Sequence, residues 1–207
     1  MNVKLNDNVV ICYINTANNK ELLENCPHRD MYDMSIIYRI VLTSGEDRSS
    51  VMVTNYMAQQ LGVTEDELYS YGLSNTENVL QVRTMPLVNM IDAMMKGEAT
   101  RARQDMPSDI GMVWVSYTPY GHFGSSVMAC QRILTGLADR FGTDLYILPA
   151  SVHECLILPA VDAIMAADTL AAMLHTVNSY MDENLLLSNY IYRYDNHTHT
   201  VIAADLI

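Results

Sequence analysis

Three residues close together in the sequence carry groups that can do chemistry: Ser151, His153 and Glu154. A hydroxyl, an imidazole and a carboxylate are the ingredients of nucleophilic and acid–base catalysis. Apolar segments at residues 145–148 and 155–158 flank them and predict short strands. Because side chains alternate along an extended chain, His153 and Glu154 would point to opposite faces, although a tight turn would let them converge. The sequence favours the other interpretation, in which Ser151 and Glu154 bond backbone amides of the loop and His153 is their partner.

Two further histidines, His197 and His199, alternate along the chain and would face the same way on a strand. Imidazole nitrogens bind transition metals, so the pair is a candidate metal site. The sequence places no third ligand beside them, and the preceding Asp195-Asn196 is a candidate hairpin turn. Solvated hairpin histidines are therefore the favoured interpretation. Neither a metal nor a cofactor is predicted, because no phosphate-binding loop, dinucleotide fingerprint or zinc-finger spacing occurs in the sequence.

Two aromatic segments are candidates for binding rather than for catalysis. The segment from Tyr117 to Gly124 leads from a predicted strand into a predicted helix, where backbone amides can bind an anion. A plain connection explains this segment equally well. Tyr190, Tyr192 and Tyr194 alternate on a predicted strand, and with 15 methionines in the chain they could form an adaptable binding surface. Cross-strand packing is the more common reason for such a stripe.

The composition excludes several classes of protein. Half of the 207 residues are hydrophobic, which is typical of a globular chain. A formal net charge of −12 repels phosphate backbones and anionic lipids, so neither nucleic acid nor a membrane is expected as a partner. The four cysteines, Cys12, Cys26, Cys130 and Cys155, form no CxxC pair and indicate a reduced compartment. Since the N-terminal sequence also lacks the features of a signal peptide, the predicted location is the cytoplasm.

Periodicity and capping signals predict the elements that position these residues. Besides the segments above, apolar stretches predict strands at residues 9–14, 35–42, 51–53, 112–117, 190–194 and 200–203. Helices are predicted to begin at the capping box of Thr64 and Glu67, at Pro86 and at Ser125 or Ser126. A further helix is predicted from the apolar spacing of residues 170–181.

The order of these elements predicts the fold class. Pairs of adjacent strands separated by helices favour an α+β fold with a largely antiparallel sheet over a doubly wound parallel fold. We expect a single domain over residues 1–207. Within it, the polar, charged segment of residues 97–109 predicts a linker between two sub-lobes, residues 1–97 and 109–207.

Motifs along almost the whole chain carry a resemblance to a known family. They are residues 18–23 with Pro27-His28, residues 61–68, Asn75-Thr76, residues 144–149, Ser151-Val152-His153-Glu154, Leu187-Ser188-Asn189, and Tyr192, Tyr194 and Asp195. The Leu-Pro-x-Ser-x-His-Glu stretch at residues 148–154 is the most specific of these. In these motifs the chain resembles an uncharacterised family of gut clostridia, domain of unknown function 5688. The resemblance implies no activity, substrate or cofactor.

The resemblance also suggests how the chain associates. It implies that relatives carry a further N-terminal segment, so that this chain is similar to the family's C-terminal portion. The strand at residues 9–14 would then lie at an uncovered apolar edge, which favours homodimerisation through this region. In the alternative interpretation the strand is central and the chain is monomeric.

Two functions from different classes are compatible with the sequence. The favoured one is a non-catalytic cytoplasmic binding or interaction module that takes a protein or a small molecule as its partner. The alternative is a hydrolase-like enzyme that uses Ser151, His153 and Glu154, with His28 supplied from the other lobe. The alternative requires the 151–154 segment to line a cleft with its side chains converging.

Overall fold

The computed structural model describes residues 5–44, 47–94, 112–161, 167–179 and 181–204. It confirms an α+β fold in which every recorded strand pairing is antiparallel. The predicted linker at residues 97–109 lies outside the described residues. Within the described part of the chain, no helix is long and apolar enough to cross a membrane.

The first sheet is built around one long strand. Its strands are β1 (Val9–Asn15), β2 (His28–Met31), β3 (Met34–Ser44) and β4 (Asp47–Met52). β1 pairs with one side of β3, while β2 and β4 follow one another along the other side. β3 and β4 form an antiparallel hairpin, and they contain the strand predicted at residues 35–42 and part of the one predicted at residues 51–53. β-branched residues fill β1 and β3 because their side chains pack well on a pleated, buried surface.

The second sheet has six strands in the order β10-β9-β7-β8-β6-β5. They are β5 (Arg83–Pro86), β6 (Trp114–Tyr117), β7 (Leu145–Ser151), β8 (Glu154–Pro159), β9 (Tyr192–Asp195) and β10 (Thr200–Ala203). β5 pairs with β6, so the sheets divide the chain between β4 and β5, which is earlier than residue 97. The single domain and its sub-lobe bounds stay a prediction.

Helices cover the sheets and join their strands. Among the described residues, the α-helices are α1 (Leu5–Asn8), α2 (Lys20–Leu23), α3 (Asn55–Leu61), α4 (Glu65–Leu80), α5 (Leu87–Met94), α6 (Gln131–Phe141) and α7 (Ala167–Ser179). In the same described part of the chain, 3-10 helices lie at Ala17–Asn19 and Gly124–Ala129. The capping box of Thr64 and Glu67 is confirmed at the start of α4, where each side chain accepts a hydrogen bond from the other residue's backbone amide.

The helix start predicted at Pro86 is confirmed to within one residue, whereas the start predicted at Ser125 or Ser126 is wrong. Pro86 ends strand β5, and the helix begins at the next residue, Leu87. Ser125 and Ser126 do not cap α6, because they lie buried within the 3-10 helix and α6 begins at Gln131. Both hydroxyls donate to carbonyl oxygens of other segments, so they do not accept bonds from helix amides.

One hydrophobic core contains residues of both sheets, from β1 and β3 of the first sheet and from β7 and β9 of the second. Helix α4 packs closely on β1, since a Cβ at Gly72 would lie 2.6 Å from Cγ1 of Ile11. Next to it, the backbone N–H of Ile11 donates to Oγ1 of Thr76, and the hydroxyl of Ser126 donates to the Ile11 carbonyl. At Ile11 these hydroxyls bond the backbone groups that a further strand would otherwise pair with.

This arrangement bears on the predicted homodimer. Val9, Val10, Ile11 and Cys12 have no exposed surface, and the hydroxyls of Thr76 and Ser126 occupy the polar groups of Ile11. Pairing with a second copy through residues 9–14 would require these contacts to open. Homodimerisation stays a prediction, and light scattering at rising protein concentration tests it without any substitution.

Candidate functional site

The predicted catalytic residues form a tight β-hairpin between β7 and β8, here called the 151–154 hairpin. Ser151 and Glu154 are cross-strand partners, and Val152 and His153 form the turn between them. Ser151 is buried, and its Oγ accepts a hydrogen bond from the backbone N–H of His153 at 3.0 Å. The Ser151 hydroxyl therefore stabilises the turn itself.

The first residues of the 3-10 helix at Gly124–Ala129 pack against the backbone of this hairpin. The hydroxyl of Ser125 donates to the carbonyl of Val152 at 2.7 Å. The preceding Gly124 lies so close to the hairpin that a Cβ there would be 2.2 Å from the His153 carbonyl oxygen and 2.9 Å from Cα of Tyr117. Both atoms belong to the backbone and cannot rotate away, so only glycine fits at this position.

The His153 imidazole supports the loop that precedes the 3-10 helix, residues 118–123, here called the 118–123 loop. Nδ1 of His153 accepts a hydrogen bond from the backbone N–H of Phe123 at 3.3 Å. The ring packs edge-on against His122, with 5.2 Å between the centroids, and against Phe123 at 6.2 Å. Burial, with a smaller contribution from His122, lowers the pKa of His153 below its usual value. A neutral imidazole with an unprotonated Nδ1 matches the bond that it accepts.

The 118–123 loop is itself ordered by local contacts. The hydroxyl of Thr118 donates to the His122 carbonyl at 2.7 Å and accepts from the His122 N–H at 3.2 Å. Phe123 has φ 62, in the left-handed region that a bulky residue seldom adopts. Such strain persists only where the surroundings fix it, and it is concentrated at binding and active sites.

Two arginines of the first sheet stack on the aromatic rings of this loop. The Arg39 guanidinium lies 5.2 Å from the Phe123 ring centroid, and that of Arg48 lies 4.5 Å from the Tyr120 ring centroid. Arg39 also donates to both the hydroxyl and the carbonyl of Ser50. In the part of the chain that the structure describes, neither arginine forms an ion pair with a carboxylate.

A small cavity of about 90 Å³ lies between the first sheet and the 118–123 loop. It is here called the loop cavity, and its lining residues are Val41, Arg48, Ser49, Ser50, Leu80, Thr118, Tyr120, His122 and Phe123. His122, which contacts His153, lines the cavity, whereas the three predicted catalytic residues are not among those that line it. The hairpin therefore contacts the cavity wall through His153 and His122 without lining the cavity itself.

Glu154 and His28 do not join a catalytic arrangement with these groups. Burial raises the pKa of the Glu154 carboxyl above its usual value, and within the described residues no hydrogen bond is recorded for that carboxyl. His28 lies on β2 in the first sheet, where its Nδ1 is 3.0 Å from the Cys26 carbonyl oxygen and its Nε2 is 4.0 Å from Asp30. Both partners of His28 are therefore only two residues away from it in the sequence.

The two candidate metal ligands lie in the four-residue turn between β9 and β10 instead of alternating on a strand. His197 is exposed, and its backbone N–H donates to the Asp195 carboxylate. His199 has φ 57, and its Nδ1 is hydrogen-bonded with the Tyr194 hydroxyl at 2.9 Å. Among the described residues, no group of three or more His, Cys, Asp or Glu side chains could hold a metal ion.

The tyrosine stripe divides into packing and surface residues. Tyr192 and Tyr194 are buried in the core, while Tyr190 precedes β9 and is 49% exposed. The Tyr194 hydroxyl bonds with Thr135 of α6. Cross-strand packing therefore accounts for two of the three residues.

Asp33, which sequence reasoning missed, connects the two halves of the chain. Its carboxylate accepts hydrogen bonds from the Ser188 hydroxyl at 2.5 Å, the Asn189 backbone N–H at 2.8 Å and the Tyr192 hydroxyl at 3.0 Å. These partners belong to the motifs that carry the family resemblance, but their sequence separation of more than 150 residues from Asp33 gave no signal of the contact.

Fold and site together describe an α+β protein in which a hairpin with catalytic residue types supports a cavity-lining loop. The chain belongs to the Family of unknown function (DUF5688), whose match covers residues 2–196. Neither the curated proteins nor the solved structures compared with the chain gave a significant match. The family confirms the predicted resemblance and names no activity.

Proposed function

We propose that this protein is a non-catalytic cytoplasmic binding or interaction module whose binding site is the loop cavity with the adjoining 118–123 loop. The observation that carries the proposal is that the polar side-chain atoms of Ser151 and His153 form hydrogen bonds with backbone amides. The Ser151 Oγ accepts a hydrogen bond from the His153 amide, and Nδ1 of His153 accepts one from the Phe123 amide, so both atoms hold backbone groups of the hairpin and the loop in place. The hairpin works as a support that fixes the loop in position.

The electrostatics of the loop support a binding role. The chain has only 12 basic residues against 24 acidic ones, yet two of its arginines stack on two aromatic residues of one loop. A preorganised loop with fixed cations costs little entropy when a ligand binds. A binding site needs such preorganisation, whereas a plain connection between a strand and a helix does not.

The shifted pKa values of His153 and Glu154 favour the hydrolase-like alternative. Burial moves the pKa of His153 down and that of Glu154 up, so the two values approach each other, and groups with perturbed pKa values are concentrated at catalytic sites. For Ser151 to act as a nucleophile, however, its buried hydroxyl would need a path to substrate and a base in contact. The recorded partner of Ser151 Oγ is instead a backbone amide.

A fragment screen followed by amide NMR shifts tests the proposal. We expect reproducible hits whose shifts concentrate at residues 48–50 and 118–123, together with no turnover of model esters or amides. The Ser151→Ala variant is the control for chemistry. Hydrolysis of a model ester that disappears in Ser151→Ala would contradict the proposal and support the alternative.

A further inference from the structure

The loop cavity combines a buried apolar interior with a polar opening. Val41 and Leu80 are 5% and 7% exposed, so they form the inner wall. Ser49 and His122 are exposed and Arg48 is partly exposed, so they lie at the opening. A ligand that matches this cavity has an apolar body and a polar or charged head.

The charge at the opening favours an anionic head. Arg48 donates to the Val79 carbonyl at the end of α4 and stacks on Tyr120. A guanidinium has five N–H donors in a planar fork, so donors beyond that one bond remain for a carboxylate. Within the described residues no recorded ion pair neutralises Arg48.

Ser50 adds a second donor beside Arg48. Its hydroxyl oxygen accepts a hydrogen bond from Nε of Arg39 at 2.9 Å. The hydroxyl hydrogen of Ser50 is therefore available to donate to an acceptor inside the cavity, which Ser50 lines. An oxyanion at the opening could bond to both Arg48 and Ser50.

The volume limits the apolar body. An apolar cavity of about 150 Å³ holds benzene, with six carbon atoms, so the loop cavity of about 90 Å³ holds about four non-hydrogen atoms. We infer that the loop cavity binds a short-chain aliphatic monocarboxylate of about four or five carbons. The inference rests on the proposed function and specifies the ligand class of the same site.

A ligand series tests the chemistry without changing the protein. Titrations with butyrate, butyramide, octanoate and inorganic phosphate are followed by amide shifts at residues 48–50 and 118–123. We expect saturable shifts with butyrate and at least about tenfold weaker binding of butyramide, which lacks the charge. Octanoate and phosphate should also bind more weakly, because one is too long and the other has no apolar body.

Matched variants test the role of Arg48. Arg48→Lys keeps the charge but loses the planar fork, so we expect about tenfold weaker butyrate binding. The control is Arg140→Lys, since Arg140 also stacks on an aromatic ring, that of Trp114, and does not line the loop cavity. It should bind butyrate like the unmodified protein. Ser50→Ala provides a second variant, with about threefold weaker binding expected for the loss of one hydrogen bond.

Each contrary outcome has a separate meaning. Butyramide, octanoate or phosphate binding as tightly as butyrate overturns the ligand class, as does equal binding by the Arg48→Lys and Arg140→Lys variants. If butyrate causes no shift while neutral fragments shift the same amides, the inference fails and the binding module stands. If neither butyrate nor any fragment shifts these amides, the inference and the proposed function fail together.

Discussion

Protonation of His153 changes which hydrogen bonds it can form. Its Nδ1 accepts from the Phe123 backbone N–H only while the imidazole is neutral, and burial together with the neighbouring His122 lowers its pKa in the folded protein. In the unfolded chain the histidine titrates near pH 6.5. The folded state therefore binds fewer protons than the unfolded state as the pH falls below about 6.5.

This difference predicts that stability is lost on acidification. The contribution of His153 is fully present above about pH 6.5 and is lost as the pH falls toward its lower folded pKa. His153→Gln offers an amide oxygen to the Phe123 N–H and does not titrate. Urea denaturation between pH 7.5 and pH 5 should show a smaller loss of stability for His153→Gln than for the unmodified protein. Equal losses would contradict the assignment.

The raised pKa of Glu154 predicts a dependence of stability on pH that is opposite to that of His153. Because burial raises its folded pKa, the folded state disfavours the ionised carboxyl, and the penalty appears as the pH rises through that pKa. We expect Glu154→Gln to melt a few degrees higher than the unmodified protein at pH 7.5, with the gap closing below about pH 4.3. Glu24→Gln, at an exposed position, controls for the change in net charge. A lower melting temperature for Glu154→Gln would mean that the carboxylate has a stabilising partner.

The attachment of the 118–123 loop to the 151–154 hairpin depends on the close approach at Gly124. Gly124→Ala would push a methyl group into the His153 carbonyl, and because the backbone must move, we expect a loss of about 3 kcal/mol or more. Gly136→Ala is the matched control. Gly136 lies inside α6, and a methyl group added there would meet no described atom of another segment within 4 Å, so alanine should stabilise by about 0.5–1 kcal/mol. Chemical denaturation of the two variants measures both effects, and a Gly124→Ala variant as stable as Gly136→Ala would contradict the close packing.

Local signals were sufficient for some elements and insufficient for others. The capping box at Thr64 and Glu67 and the β3–β4 hairpin depend on neighbouring residues, and both were predictable. Ser125 and Ser126 resemble helix caps locally, but their hydroxyls bond to Val152 and Ile11. Sequence periodicity contains no information about those distant partners, which decided the local structure.

The candidate site shows the same limit. The sequence singled out both the 151–154 hairpin and the segment from Tyr117 to Gly124, yet it did not predict that one supports the other through Phe123 and His153. The stacking of Arg39 and Arg48 on the loop was also missed. These arginines belong to the first sheet, and their position depends on tertiary packing.

Across the molecule, Asp33 joins the turn between β2 and β3 to the segment before β9. Asp33→Ala would leave two hydroxyls and a backbone amide without their acceptor. Since the site is partly exposed, we expect a loss of about 1–3 kcal/mol, or about 2–12 °C in melting temperature. Asp33→Asn keeps one carbonyl acceptor and should lose less. Calorimetry of the two variants decides this, and equal stability of Asp33→Ala and the unmodified protein would show that the contact contributes nothing.

The most direct test of the supporting role of the 151–154 hairpin is the thermal melt of His153→Ala at pH 7.5. Removing the imidazole leaves the Phe123 amide without its acceptor, which costs about 1–2 kcal/mol and lowers the melting temperature by about 2–8 °C. The control is His175→Ala, an exposed position on α7 that should melt like the unmodified protein. A melting temperature of His153→Ala that is unchanged or raised would contradict the supporting role, because catalytic residues often carry strain that their removal relieves.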